Sequence, residues 1–193
     1  MFDERKVLKS LMKGGGFYGD IFSEERTYTY IQLESSRFEK VEKGIDKGVG
    51  LRVMTPWKSF FASTDSLGED NLVKLADELS GFVNGKTFAD AGGFNYFHAG
   101  YPFTLAIDPQ DVEIRRKLDM IKQAELLARR LEKRIKQVKI VYRDTGQKVS
   151  IQNSKHESIH DERSQVVFNI FLVGEDNGNM QTAYDAIGGF YGY

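Results

Sequence analysis

Residues 108–135 carry the strongest local constraint in the chain. Asp108 can cap a helix, Pro109 suits a first helical position, and Ile114, Leu118, Ile121, Ala128, Leu131 and Ile135 recur at steps of three, four or seven. That spacing predicts one long amphipathic helix whose apolar stripe has to be buried against something. Beyond residue 135 the period becomes that of strands. VKIVYRD and KVSIQNS flank Thr145 and Gly146, and SQVVFNIFLVG and NMQTAYDAI flank EDNGN, so two hairpins are expected with Gly146 and Gly178 at positive φ. A long helix beside hairpins selects the α+β class: antiparallel sheets packed with helices, in two subregions.

The N-terminal half repeats this mixture. Val7, Leu8, Leu11 and Met12 sit at helical spacing before Gly14, Gly15 and Gly16, which predicts a short helix within Asp3 to Lys13. GFYGDIF, TYTYIQLE, RFEKVEKG, GVGLRVM and WKSFFAS then read as five short strands of a meander. In the second of these, Thr27, Thr29, Ile31 and Leu33 alternate with Tyr28, Tyr30 and Gln32, which gives a more apolar face. Leu72, Leu75, Leu79 and Phe82 predict another helix, capped by Ser66 and ending near Gly85. Residues 85–107 hold glycines and aromatics without a sustained period, so the boundary between 1–100 and 101–193 is placed there. The aromatic cluster Phe94, Tyr96, Phe97, Tyr101 and Phe103 is read as core or interdomain packing in preference to a ligand pocket.

Charge narrows the partners. Lys and Arg number 27 against 28 Asp and Glu, so the chain lacks the electrostatic footprint of a nucleic-acid binder. Arg115, Arg116, Lys117, Arg129, Arg130, Lys133 and Arg134 interleave with Glu113, Asp119, Glu125 and Glu132, and are read as a solvated helix face in preference to a nucleic-acid surface. There is no cysteine, and no apolar run approaches about 18 residues, so neither a disulfide framework nor a membrane span is expected. The N-terminus MFDERKVLKS has no apolar signal core, and the expected location is cytoplasmic.

One short match demands a test. His156, Glu157 and His160 spell HExxH, the signature of zinc peptidases. On a helix, residues four apart share a face and lie about 6 Å apart along the axis, so both imidazoles can reach one ion. On a strand the same four steps cover about 13 Å, which ligand bonds of about 2 Å cannot bridge. Asn153 and Ser154 favour a turn, and Ile159 is the only apolar residue between Ile151 and Val166, so a turn leading into a strand is expected. His98 is the only other histidine, and no spacing rule supports Asp161 or Glu162 as a third ligand. No catalytic, cofactor-binding or metal residue is therefore assigned. A stand-alone zinc hydrolase using His156, Glu157 and His160 stays as an alternative, distinguished by near-equimolar zinc and chelator-sensitive cleavage.

The block LESSRFEKVEKGIDKGVGLRV with Gly44, Gly48 and Gly50, followed by FFASTDSLGEDNL, resembles the N-terminal domain of the TldD/PmbA family, also called modulators of DNA gyrase. The stretch from VKIVYRD to the end is similar to that family's central region, where an I.NS turn and a D.R pair are matched by Ile151, Asn153, Ser154, Asp161 and Arg163. The resemblance implies a zinc metallopeptidase parent whose metal site, HExxxH, lies in a C-terminal domain beyond the matched region. No HExxxH occurs in this chain, so zinc is expected in that further domain and the chain alone is expected to be inactive. The implied role is to shape a substrate channel and subunit contacts for proteolysis of unfolded or precursor peptides. The implied partners are its own peptidase domain, a TldD/PmbA-type subunit in a homo- or heterodimer, and an extended peptide. A non-enzymatic interaction module of the PmbA kind is the alternative. The closing AIGGFYGY is read as a hinge toward the further domain.

Overall fold

The structure, a computed structural model, describes residues 2–84, 95–98 and 105–193. In chain order the described elements are α1 (Glu4–Leu11), β1 (Tyr18–Glu34), β2 (Arg37–Met54), β3 (Ser59–Thr64), α2 (Glu69–Ser80), β4 (Asn95–His98), α3 (Ile114–Leu131), β5 (Ile135–Asn153), β6 (Glu157–Asp176) and β7 (Asn179–Gly189). A 3-10 turn, Pro109–Asp111, precedes α3. The strands are ordered β3-β2-β1-β5-β6-β4, and β7 also pairs with β6. The β2–β3 and β6–β7 pairs are antiparallel, whereas β4 runs parallel to β6. This is an α+β architecture of mostly antiparallel strands packed with helices. No helix among the described residues is long and apolar enough to cross a membrane.

The strands are longer and fewer than the sequence suggested. The first four short segments merge pairwise into β1 and β2, of 17 and 18 residues. Ser23–Arg26 contains neither Gly nor Pro, and its polar residues continue the strand, half-buried at Ser23, Glu24 and Glu25 and exposed only at Arg26. Thr145 and Gly146 likewise form no hairpin, because β5 runs through them for 19 residues. Gly146 serves clearance: a Cβ there would meet Thr27 Oγ1 at 2.7 Å and Gln110 Cγ at 3.0 Å. The expected turn at EDNGN does form, with Asn177 at φ 49° and Gly178 at φ 82°, the hand that matches strand twist in a two-residue hairpin.

Two compact units emerge, each drawn from three segments, because β1, β2, β5 and β6 each contribute residues to both. The boundary placed near residue 100 lies outside the described residues.

The first unit comprises Met1–Glu25, Asp46–Gly100 and Lys148–Glu162. Asp3 caps α1 by accepting from the amides of Arg5 and Lys6. Val7, Leu8, Leu11 and Met12 pack with Leu72, Ala76 and Leu79 of α2 over Ile21, Val49, Leu51 and Val53. The strand residues alternate, so Arg52 points to the other face and pairs with the buried Asp20. Ser66 does not cap α2: Gly68 holds that position without a side-chain bond, and the Ser66 hydroxyl accepts from Asn71 Nδ2 at 2.7 Å. The helix closes at Ser80, and Phe82, expected on its apolar stripe, is exposed. Tyr96 and Phe97 are exposed too, against the expectation of packed aromatics, while Phe94, Tyr101 and Phe103 lie outside the described residues.

The second unit comprises Arg26–Ile45, Tyr101–Gln147 and Arg163–Tyr193. Here Ile121 of α3 is buried against Ile31, Leu33, Val138, Ile140 and Tyr142, with Leu118, Ala124, Phe168, Ile170 and Leu172 around them. The predicted helix from Pro109 to Ile135 is shortened at both ends. Asp108 does cap, and Pro109 does stand first, but only of the 3-10 turn; Val112 is extended and α3 starts at Ile114. At the far end Glu132 is extended and Ile135 opens β5. The closing segment is anchored by Tyr193, whose amide donates to the Ile107 carbonyl and whose hydroxyl donates to that of Arg116.

Candidate functional site

The HExxH residues occupy a turn and a strand, as the flanking sequence implied. Asn153 Oδ1 accepts from the amides of Lys155 and Glu157, an Asx-type turn, and His156 sits within it at φ 63°. β6 begins at Glu157, so three extended residue steps, about 10 Å of rise, separate Glu157 from His160. The side chains of Glu157 and His160 already have partners. Glu157 accepts from Asn153 Nδ2 at 2.8 Å, while His160 Nε2 shares a 3.0 Å hydrogen bond with Ser158 and its ring stacks on Tyr96 at 6.3 Å. Ser158 is buried, so this Ser–His pair presents no nucleophile to a substrate. Glu162 is paired with Lys148 at 3.2 Å. Among the described residues no three His, Asp or Glu side chains gather where an ion could be held.

Sequence reading missed a cluster in the second unit. Lys117, assigned to a solvated face, is 1% exposed and donates to Asp144 Oδ2 at 2.5 Å, the carboxylate itself being fully buried. Lys117 also donates to Thr29 Oγ1 at 3.3 Å, and Gln110 Nε2 donates to the other Asp144 oxygen at 2.7 Å. The 3-10 turn, α3, β1 and β5 are thereby tied at one buried point. Glu125, also read as solvated, is buried and accepts from Ser36 Oγ and Arg129 Nε. A signal was present: Lys117, Ile121 and Glu125 are spaced by four on one helix face, and Val138, Ile140, Tyr142 and Asp144 alternate on one strand face.

Tyr142 stands next to this cluster with Lys117 Nζ 5.7 Å from its ring. Burial, and after it the Asp144 charge, pushes its hydroxyl far above the usual tyrosine value near 10. The Asp144 oxygens are directed at Lys117 and Gln110, and the Tyr142 hydroxyl has no well-formed hydrogen bond. Tyr142→Phe is therefore expected to be neutral or to stabilise by up to about 1 kcal/mol at neutral pH, measured by urea unfolding. The raised folded value favours the neutral form in the fold. Stability from this group is thus intact below about pH 10 and declines as pH rises past it, so the Phe variant should lose less stability in alkali. A loss above about 1.5 kcal/mol at pH 7 would mean that the hydroxyl has a partner.

β7 is the element with the most open surface. Every residue from Asn179 to Ala186 is exposed, and so are the large side chains Met180, Tyr184 and Ile187. One edge of β7 is paired with β6 from Val166↔Gly189 to Asp176↔Asn179. Among the described residues no strand pairs with its other edge. Below the β6–β7 hairpin a groove of 460 Å³ is lined by Arg134, Ile135, Leu172, Gly174, Gln181 and Ala183, among others.

Known proteins share this architecture. Residues 19–81 match PmbA/TldA metallopeptidase domain 1, and residues 107–193 match the PmbA/TldA metallopeptidase central domain. A metalloprotease of Methanocaldococcus jannaschii is 25% identical over 199 residues, covering 98% of this chain and 42% of that protein. Among solved structures, a proposed modulator of DNA gyrase from Thermotoga maritima superposes with a TM-score of 0.75 at 17% identity, over 97% of this chain and 43% of that one. A counterpart from Bacteroides thetaiotaomicron gives 0.74 at 15%, over 96% and 44%. TldE from Thermococcus kodakarensis gives 0.72 at 10%, over 95% and 42%. The structural likenesses establish a shared fold, and the chain spans less than half the length of these relatives. With two successive domains of one family matched in order along it, the chain belongs to the TldD/PmbA metallopeptidase family.

Proposed function

We propose that this chain forms the non-catalytic N-terminal and central parts of a TldD/PmbA-type zinc metallopeptidase acting on unfolded or precursor peptides in the cytoplasm. Zinc would belong to a further domain bearing the HExxxH that this chain lacks, and the chain alone would have no peptidase activity. Its own part is to wall the substrate channel, to contact a TldD/PmbA-type partner subunit, and to hold peptide in extended form.

The observation that carries this reading is the open edge of β7. Natural edge strands are commonly blunted by Lys, Pro or a bulge, yet β7 has neither Lys, Arg nor Pro, and Asp185 is its only charge. Its eleven residues offer a row of main-chain donors and acceptors to an added strand. Such bonding accepts nearly any sequence except proline, which suits a peptidase of unfolded chains. With the isotopically labelled chain and an unfolded peptide of about ten residues, long enough to span a strand of this size, amide shifts are expected to concentrate in 179–189. A peptide with alternate N-methylated amides should cause none. Shifts that stay uniformly unchanged with the unmodified peptide would refute peptide binding at this edge.

A further inference from the structure

The last turns of α3 expose three leucines: Leu126 is 59% exposed, Leu127 53% and Leu131 77%. The fold of the second unit does not use them. Lys117, Ile121 and Glu125 form the buried face of α3, and Leu118, Met120 and Ala124 fill its flanks against the core. Leu127 and Leu131 stand one turn apart on the same side. An isolated exposed leucine is ordinary, but here Leu126 stands about 100° round the helix from Leu127, so the three together line one broad exposed face.

The unpaired charges around the patch are cationic. Arg130 and Lys133 are exposed, and neither has an acidic partner among the described residues. The nearby carboxylates are taken. Glu125 is buried against Arg129 and Ser36, and Glu132 is clamped by Arg134, which holds its carboxyl down to about 2. Lys122, one turn before Leu126, lies over the Phe38 ring at 5.4 Å. A chain of formal charge −1 thus has a leucine patch rimmed by uncompensated cations.

We infer that the C-terminal half of α3 docks an acidic amphipathic helix, with apolar side chains on Leu126, Leu127 and Leu131 and carboxylates at Arg130 and Lys133. The charges select this occupant. A second copy meeting this face through a twofold axis would set Arg130 and Lys133 against their own counterparts. Nucleic acid would engage the cations but leave three leucines in water. An anionic bilayer would have to attract a chain that is slightly negative as a whole. An amphipathic helix satisfies both components at once: leucines one turn apart receive its apolar face, and the cations fix its orientation. This inference is independent of the peptide-binding reading of β7.

Fluorescence anisotropy of the intact 193-residue chain with a labelled Leu/Glu amphipathic peptide tests it directly. Saturable, salt-weakened binding is expected, with the matching Leu/Lys peptide at least about tenfold weaker, a difference of about 1.4 kcal/mol. Leu127→Ser/Leu131→Ser should weaken the Glu peptide by at least the same factor, about tenfold. Arg130→Glu/Lys133→Glu should reverse the preference toward the Lys peptide. All four positions are exposed, so the variants should keep the wild-type circular dichroism and melting. The inference is overturned by equal binding of both peptides, by no binding, or by insensitivity to the leucines. It is equally overturned if phosphatidylglycerol vesicles or duplex DNA bind more tightly than the Glu peptide, or if the patch mediates a dimer of this chain.

Discussion

Replacing Lys117 with methionine is expected to destabilise the second unit by about 3–5 kcal/mol, because it leaves the Asp144 carboxylate buried without its counter-charge. The pair has no exposure to soften the loss: Lys117 and Asp144 side chains are 1% and 0% exposed, and Gln110 and Thr29 complete the shell. The same reasoning predicts an asymmetry. Lys117→Met/Asp144→Leu removes both charges and should recover most of the deficit, since a buried ion pair is worth little more than apolar residues of similar volume. Urea unfolding followed by near-ultraviolet circular dichroism measures both. If the single variant lost less than about 1 kcal/mol, the range of exposed ion pairs, solvent would have to reach the pair and the buried cluster would be misassigned.

Adding a single methyl at Gly14 should be nearly as damaging to the first unit. A Cβ there would lie 2.1 Å from the Ser80 carbonyl oxygen, at the end of α2, and 2.7 Å from that of Val83, three residues beyond it, both backbone atoms. The Gly14 amide also donates to Ser80 Oγ at 2.6 Å, so helix α2 cannot recede without breaking that bond. Gly14→Ala is expected to cost about 3 kcal/mol by overpacking, and to lower the thermal midpoint by about 6–12 °C for a chain of this length. The melting curve of the purified variant reads this out. An unchanged midpoint would show that the Met12–Gly16 segment has room to shift away from α2.

These two positions differ in how far the sequence announces them. The period of four through Lys117, Ile121 and Glu125, and the period of two through Val138, Ile140, Tyr142 and Asp144, already put the charges on buried faces. What misled was residue type: a lysine or glutamate on a helix is ordinarily solvated, and only a partner arriving from another element makes burial tolerable. Lys117 and Asp144 are 27 residues apart, and no local rule pairs them. Gly14 is different. Its sequence marks a helix end, which is where α1 stops, but the contact with Ser80 that forbids a side chain is 66 residues away.

The sequence by itself determined the α+β class, the three described helices, the inward faces of Thr29, Ile31 and Leu33, the turn at Asn177 and Gly178, and the family. Each of these rests on local periodicity, turn chemistry, or ordered blocks of residues. It also placed His156 in a turn and His160 on a strand, which follow from Asn153, Ser154 and a sparse apolar pattern. Only the tertiary structure decided that polar Ser23–Arg26 and Gly146 continue strands, because a break or a crossing depends on what lies alongside. It alone decided that Lys117 and Glu125 are buried, that Leu126, Leu127 and Leu131 are not, and that one edge of β7 is left open among the described residues. Burial and edge pairing are set by neighbours distant in the chain, and a pattern read along one segment carries no information about which neighbours arrive.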